Sequence, residues 1–294
     1  MCAENTTRGH TGDHKSARQR LVDAHFQAGA SSWRDVYLRN DLSGQIHRQR
    51  QSAALALVDN LRLPPRARVL EAGCGTGRIA VALAKRSFLV TAIDTVTHML
   101  AMTRQAAIEA GVNGRIRLIQ SDVHNTGFSA EQFDLALAIG VVPWSEHPER
   151  AIRELVRVVR PGRYVVLSAD NLWCLPHILD PFCFPAMRPI RWKMSGALER
   201  LMIRSTRPLR YRYHSVREFD AILSHAGLEK IEGVTVGFGP FSLFNRKLLS
   251  SSAELRVNGK LQALADRGFP LIRSAGVEYV VSSRKATRLI QKED

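Results

Sequence analysis

Cysteine is scarce: Cys2, Cys74, Cys174 and Cys183 are the four in 294 residues, and no two form a Cys-x-x-Cys pair. That spacing excludes a disulfide scaffold and gives no cysteine-based zinc module. Reduced thiols fit a cytoplasmic setting. The histidines are scattered, so no metal-ligand spacing is read and no metal is expected. No run of about 18 apolar residues occurs, so no membrane-spanning helix is expected, and any membrane contact would be peripheral. The polar stretch of residues 1–20 lacks the apolar core of a secretory signal. No internal repeat is visible. Acidic residues are in deficit, 27 Asp and Glu against 42 Lys and Arg, leaving a formal charge of +15. Such a balance favours anionic company: nucleic acid, an acidic membrane face or a phosphorylated substrate.

With 45% hydrophobic residues, the chain has an ordinary globular composition. Residues 1–20 read as a flexible tail, and residues 21–63 as a helical segment with apolar Ile46, Ala53, Leu57 and Leu61 at helical spacing. Pro64 and Pro65 end that segment. From residue 64 onward, continuous apolar strands alternate with helices: 68–72, 88–93, 116–120, 133–139 and 164–168 as strands, with helices near 78–86, 97–110 and 148–159. Two last strands follow at 228–237 and 277–283. Strands of this kind indicate an α/β fold, a doubly wound, mostly parallel, seven-stranded sheet covered on both faces. Ser215 and Glu218 form a capping-box pattern before the helix that ends at Gly227. Two insertions, 171–213 and 240–276, interrupt the 64–294 domain, the second expected to be partly helical.

The sharpest local signal is Glu71-Ala72-Gly73-Cys74-Gly75-Thr76-Gly77, leaving a strand and entering a helix. Glycines allow positive φ and close approach of a ligand to backbone N–H groups at a helix start. A P-loop would need Gly-Lys-Ser/Thr, and Arg78-Ile79 follows Gly77 instead. A dinucleotide fingerprint would place its third glycine one residue later, where Arg78 stands. Asp94 ends the second strand and Asp122 the third, and the fourth runs Phe133-Asp134-Leu135 to Ile139-Gly140. Arg160-Pro161-Gly162-Arg163 precedes the fifth strand.

Taken together these motifs resemble the class I S-adenosylmethionine-dependent methyltransferases, over roughly residues 47–170, 214–239 and 276–285. Arg163 departs from that family's usual second glycine. The resemblance implies S-adenosyl-L-methionine as cofactor, held by Glu71, Gly73, Cys74, Gly75, Thr76, Gly77, Asp94, Thr95, Asp122, Val123, Ile139 and Gly140. In it, Asp94 takes the ribose hydroxyls, Asp122 the adenine amino group, and Ile139-Gly140 the methionine portion. Trp33-Arg34-Asp35-Val36-Tyr37 resembles the segment that folds over the cofactor in small-molecule members, making Trp33 and Tyr37 candidate lid residues.

Methyl transfer needs a base only when the acceptor atom carries a proton. The candidates are His98, His124, His147, His177, His214 and Asp170, of which His147, after the fourth strand, and Asp170, ending the fifth, stand nearest the expected acceptor side. The charge excess is concentrated: residues 171–213 carry eight basic side chains against two acids, interleaved with Trp173, Phe182, Phe184, Trp192, Tyr211 and Tyr213. A basic, aromatic cap suits an anionic amphiphile, a phosphate-bearing substrate, an anionic membrane or RNA. Taken with the family resemblance, these features favour methylation, O- over C-, of a small-molecule or lipid-linked acceptor. An RNA methyltransferase is the alternative, though no RNA-reading motif is present and the fourth strand lacks an Asn/Asp-Pro-Pro-Tyr cluster. A cofactor-binding sensor or partner protein without turnover is the second alternative.

Overall fold

A computed structural model describes residues 16–187, 212–244 and 246–287. Most of the expected tail and most of the basic cluster, including Trp192 and Tyr211, lie outside the described residues. Residues within the expected tail do fold: helix α1 (Ala17–Ala28) starts on Ser16, whose side chain accepts from the Gln19 N–H. It is followed by α2 (Ala30–Asp35) and α3 (Leu42–Asn60), the latter capped by Asp41.

The sheet takes the order β3 (Ile116–Gln120), β2 (Leu89–Asp94), β1 (Arg68–Ala72), β4 (Phe133–Ala138), β5 (Val159–Asn171), β10 (Glu278–Lys285), β7 (Leu228–Val236). A two-residue strand, β6 (Tyr213–His214), adds to β5 in parallel. The seven-stranded, mostly parallel expectation holds for this main order, and β10 alone runs antiparallel to its neighbours. Helices α4 (Arg78–Lys85) and α5 (Thr97–Glu109), with α3, cover one face. Helix α6 (Pro148–Val158) and α8 (Val216–His225) cover the other. Each wraps a strip of strand residues with near-zero exposure, such as Val69, Leu135 and Val166 on one side and Leu70, Ala136 and Leu167 on the other. Period-two alternation of two buried faces is why these strands read as continuous apolar runs.

The Arg160-Pro161-Gly162-Arg163 segment differs from the expected loop, because it lies within β5 and shifts the register against β4. Buried Asp134 explains this. It accepts from the Arg68 N–H at 2.9 Å and from Arg160 at 2.7 Å, with the Arg163 guanidinium 3.6 Å away. The arginine that replaces a glycine thus serves a buried carboxylate. The Ser215–Glu218 capping box forms as read, with both reciprocal hydrogen bonds.

Because β5 and β7 both pair antiparallel with β10, their carboxyl ends lie on the edge where β1 to β4 end. Both insertions leave from that edge. The first supplies α7 (Leu175–Leu179). The second supplies a hairpin, β8 (Ser242–Leu243) and β9 (Arg246–Lys247), then α9 (Ser251–Asp266). Phe238, Phe241 and Ala275 form their common core with Leu175 and Leu261.

Candidate active site

A cavity of about 290 Å³ opens beyond the carboxyl ends of β1 to β4, roofed by α1 to α3. Open α/β sheets place ligands at such an edge. The β1–α4 turn is held by hydrogen bonds from the Gly73 and Cys74 N–H groups to the Ile93 carbonyl, at 2.8 and 3.0 Å. Gly77 closes it with φ near 79°, and a Cβ there would sit 2.8 Å from the Thr103 backbone, so only glycine lets α5 approach. Thr103 in turn donates its hydroxyl to the Gly75 carbonyl at 2.8 Å.

Asp94 accepts from the Gly75 N–H at 3.0 Å and from the Val96 N–H at 2.9 Å, so one carboxylate ties the glycine turn to the start of α5. Burial raises its pKa. Glu71, wholly buried at the end of β1, is pushed up to about 8, first by burial and then by Asp94. Its Oε2 has no hydrogen-bond partner. At the end of β3, His124 bridges two groups. Its Nδ1 lies 2.6 Å from Asp122 Oδ1 and its Nε2 2.8 Å from Ser145 Oγ. Asp122 also accepts from the His124 N–H at 2.8 Å. An ionised carboxylate can only accept, so Nδ1 carries a hydrogen, and in the neutral tautomer Nε2 accepts from the serine.

The roof is aromatic and latched. Phe26, Trp33 and Trp144 pack with His25, the Phe26 and Trp144 rings 5.0 Å apart and His25 stacked on Trp144 at 5.2 Å. Thr95 donates to Asp23 at 2.7 Å, and Ser16 donates to Glu146, so α1 is bonded to both sides of the cavity mouth. Tyr37 is pinned through its carbonyl by Arg48 at 2.8 Å, and its ring lies under the Arg78 guanidinium at 4.5 Å. On the wall formed by α3, Arg50 pairs with Glu278 at 3.1 Å. Burial opposes the Arg50 charge, but Glu278 and Tyr37 outweigh it and raise its pKa. One turn earlier His47 donates from Nδ1 to the Ser43 carbonyl at 2.8 Å, leaving Nε2 as the basic nitrogen of the neutral ring. Burial, and then Arg50, lower its pKa.

Of the residues expected to hold the cofactor, eleven line this cavity: Glu71, Gly73, Cys74, Gly75, Thr76, Asp94, Thr95, Asp122, Val123, Ile139 and Gly140. Gly77 stands behind it as the start of α4. Trp33 and Tyr37 also line it. His147 and Asp170 are not among its lining residues. His147 is the N-cap residue of α6, its ring 6.3 Å from that of His124. Asp170 sits in β5 between Tyr213 and Glu278. Sequence reading passed over His47, Arg50, Glu278 and Ser145 as site residues. Nothing local marks them, since Arg50 and Glu278 are 228 residues apart.

Fold and site together set carboxylates at successive strand ends around a glycine turn, at the edge where open α/β sheets take their ligands. Residues 70–167 match the methyltransferase domain family. A malonyl-[acyl-carrier protein] O-methyltransferase of Enterobacter lignolyticus is 36% identical over 42% of this chain, a match that spans 48% of the relative's length. A ubiquinone/menaquinone biosynthesis C-methyltransferase of Rhodopseudomonas palustris is 27% identical over 77% of this chain and 90% of its own. The crystal structure of magnesium protoporphyrin IX methyltransferase from Synechocystis PCC 6803 with bound S-adenosylhomocysteine superposes with a TM-score of 0.59 at 16% identity, covering 91% of this chain and all of that one. The chain is similar to the S-adenosylmethionine-dependent methyltransferases, through the domain match over residues 70–167 and through relatives named as methyltransferases. That solved structure holds S-adenosylhomocysteine, the demethylated form of S-adenosylmethionine. The residues present fit that group. The buried Glu71 Oε2 lacks a partner, as a site for a cationic amino group requires, and Gly73 and Gly75 hold positive φ, which keeps side chains out of the turn and lets a ligand come close to its backbone.

Proposed function

We propose that this chain transfers a methyl group to oxygen on an apolar, small-molecule or lipid-linked acceptor reached from a membrane surface. The observation that carries the reading is the cavity itself: a polar, carboxylate-lined half at the strand ends continues into an aromatic half under α1 and α2. Bound S-adenosylmethionine supplies a methyl already activated on sulfonium, which an acceptor nucleophile displaces in line. Everything else falls to the chain. Glu71, Asp94 and Asp122 would hold the amino group, ribose and adenine, and Gly140, whose N–H donates to Ser168 at 2.8 Å, would shape the methionine end. Phe26, Trp33 and Trp144 exclude water, and proximity in such an enclosed site supplies about 7–11 kcal/mol of rate acceleration. An oxygen nucleophile must lose a proton, and His47 is the group we assign to accept it. It lines the aromatic half, it is kept neutral by burial and Arg50, and its Nδ1 is already committed to Ser43. A carbon acceptor activated by its own ring would need no such base. His147 and Asp170 stand outside the residues that line the cavity. The O-methyltransferase name of one relative and the C-methyltransferase name of the other leave the atom to experiment.

The test is methyl transfer from radiolabelled cofactor into a cell extract, followed by separation of lipid, RNA, protein and small-molecule fractions. Label in an organic-soluble product, falling about 100-fold in His47→Ala with cofactor affinity unchanged, supports the reading. Label in RNA, or turnover indifferent to His47, overturns it.

A further inference from the structure

The two insertions form one unit whose exterior is unlike the rest of the molecule. Inside, α7, the β8–β9 hairpin and α9 share the core around Phe238 and Phe241. The end of α7 is bonded to the hairpin, since Ser242 donates its hydroxyl to Asp180 Oδ2 at 3.1 Å and the Cys183 thiol donates to the same oxygen at 3.2 Å. Outside, this joined surface exposes Ile178, Leu179, Leu243, Phe244 and Leu248, with Trp173 at the start of the insertion. Phe244 is 69% exposed at the hairpin turn and Leu248 57%. Phe244 also adopts a φ of 48°, a strained conformation for an aromatic residue, and gains no burial within the chain in return. A monomer's scattered exposed leucine needs no explanation, but a contiguous apolar projection does.

Charge decides what covers it. The two acids nearest this surface are turned inward, Asp180 with no exposed area and Glu254 with 3%. The side chains that face out beside the apolar ones are Arg246 and Lys247, the latter 70% exposed with its Nζ 3.8 Å from the inward Glu254 carboxylate. Apolar groups projecting at a turn, flanked by cations and free of exposed acid, match the interface of an anionic bilayer, where the apolar tip enters the acyl boundary and the cations meet headgroup phosphates. A protein partner of opposite charge would meet the cations but would need a pocket for an isolated hairpin tip.

We propose that the β8–β9 hairpin and the end of α7 are a docking surface for an anionic membrane. The unit rises from the carboxyl ends of β5 and β7, the edge on which the cofactor cavity opens. Docking there sets the cavity edge of the sheet against the lipid and gives an amphipathic acceptor a short path to it. The proposal deepens the lipid-linked reading above, and rests on that reading for its purpose.

The experiment is co-sedimentation of the full chain with vesicles of phosphatidylcholine, with and without phosphatidylglycerol. Binding is expected to the anionic vesicles only, and to fall about 10-fold in Leu243→Ser/Phe244→Ser and about 10-fold in Arg246→Glu/Lys247→Glu. S-adenosylmethionine affinity, measured by calorimetry on each variant, is expected to stay at the wild-type value and reports that the fold is intact. Wild-type protein that ignores anionic vesicles while binding cofactor overturns the docking surface and spares the methyltransferase reading. Vesicle binding equal in wild type and both variants overturns it as well, and so does loss of self-association in Phe244→Ser with no vesicle binding at all. Vesicle binding without methyl transfer to any lipid fraction would fault the acceptor reading alone.

Discussion

The two halves of the cavity are built on different principles. On the cofactor side, each polar group sits within a residue or two of a strand end, and the strand's own hydrogen bonds fix it. Asp94 and Gly75, for example, meet because β1 and β2 are adjacent in register. On the acceptor side, the groups come from helices and a distant strand, and Arg50 meets Glu278 only when the whole chain has closed. The first half depends on local backbone, the second on long-range packing. Mutations in the two halves should therefore fail differently.

The largest effect is expected from Arg50→Met. It strands Glu278, whose side chain is only 10% exposed, as a carboxylate without its partner. Unfolding in urea should show a loss of about 3 kcal/mol, and Arg50→Met/Glu278→Leu should regain most of it. A single variant as stable as wild type would show that this side does not depend on the pair. Next comes Asp94→Ala, which leaves the Gly75 and Val96 N–H groups without their acceptor and would remove the proposed ribose contact. Calorimetry should show S-adenosylmethionine affinity down about 100-fold, near 2.7 kcal/mol, with a smaller loss of stability than Arg50→Met. Equal losses of stability in the two would erase the contrast.

Taken over a single pH unit, the smallest effect is one of pH. Glu71 holds its proton in the folded protein up to about 8 but releases it near the ordinary glutamate range when unfolded. Between those values the native state binds more protons, so stability falls as pH rises through that window and levels off above it. The slope should approach about 1.4 kcal/mol per pH unit at most. In Glu71→Gln it should flatten. Wild-type cofactor binding should strengthen toward pH 8, because a cationic amino group favours the carboxylate form. A pH-independent affinity would place that amino group elsewhere.

Much of the cofactor half was legible before any coordinates. Gly73, Gly75 and Gly77 are the residues that a positive φ demands, and Asp94 and Asp122 follow apolar runs that end where strands end. The capping box at Ser215 and Glu218 was equally local. The acceptor half was not. His147 and Asp170 stood at plausible strand ends, yet the histidines on the cavity wall are His47, on a helix of unremarkable pattern, and His124, whose role depends on Ser145. The bulge at Arg160 to Arg163 was hidden for the same reason, since its cause is Asp134 on the neighbouring strand.

The sequence alone determined the period-two burial of the strands, the turn chemistry of the glycines and the order of elements, because each depends on residues a few positions apart. Tertiary structure decided which face of α3 meets β10, how α1 latches over the cavity and which apolar side chains of the insertions are left outside. Those outcomes follow from closure of the sheet through β10 and β7, a packing event that joins residues more than two hundred positions apart and leaves no trace in local pattern.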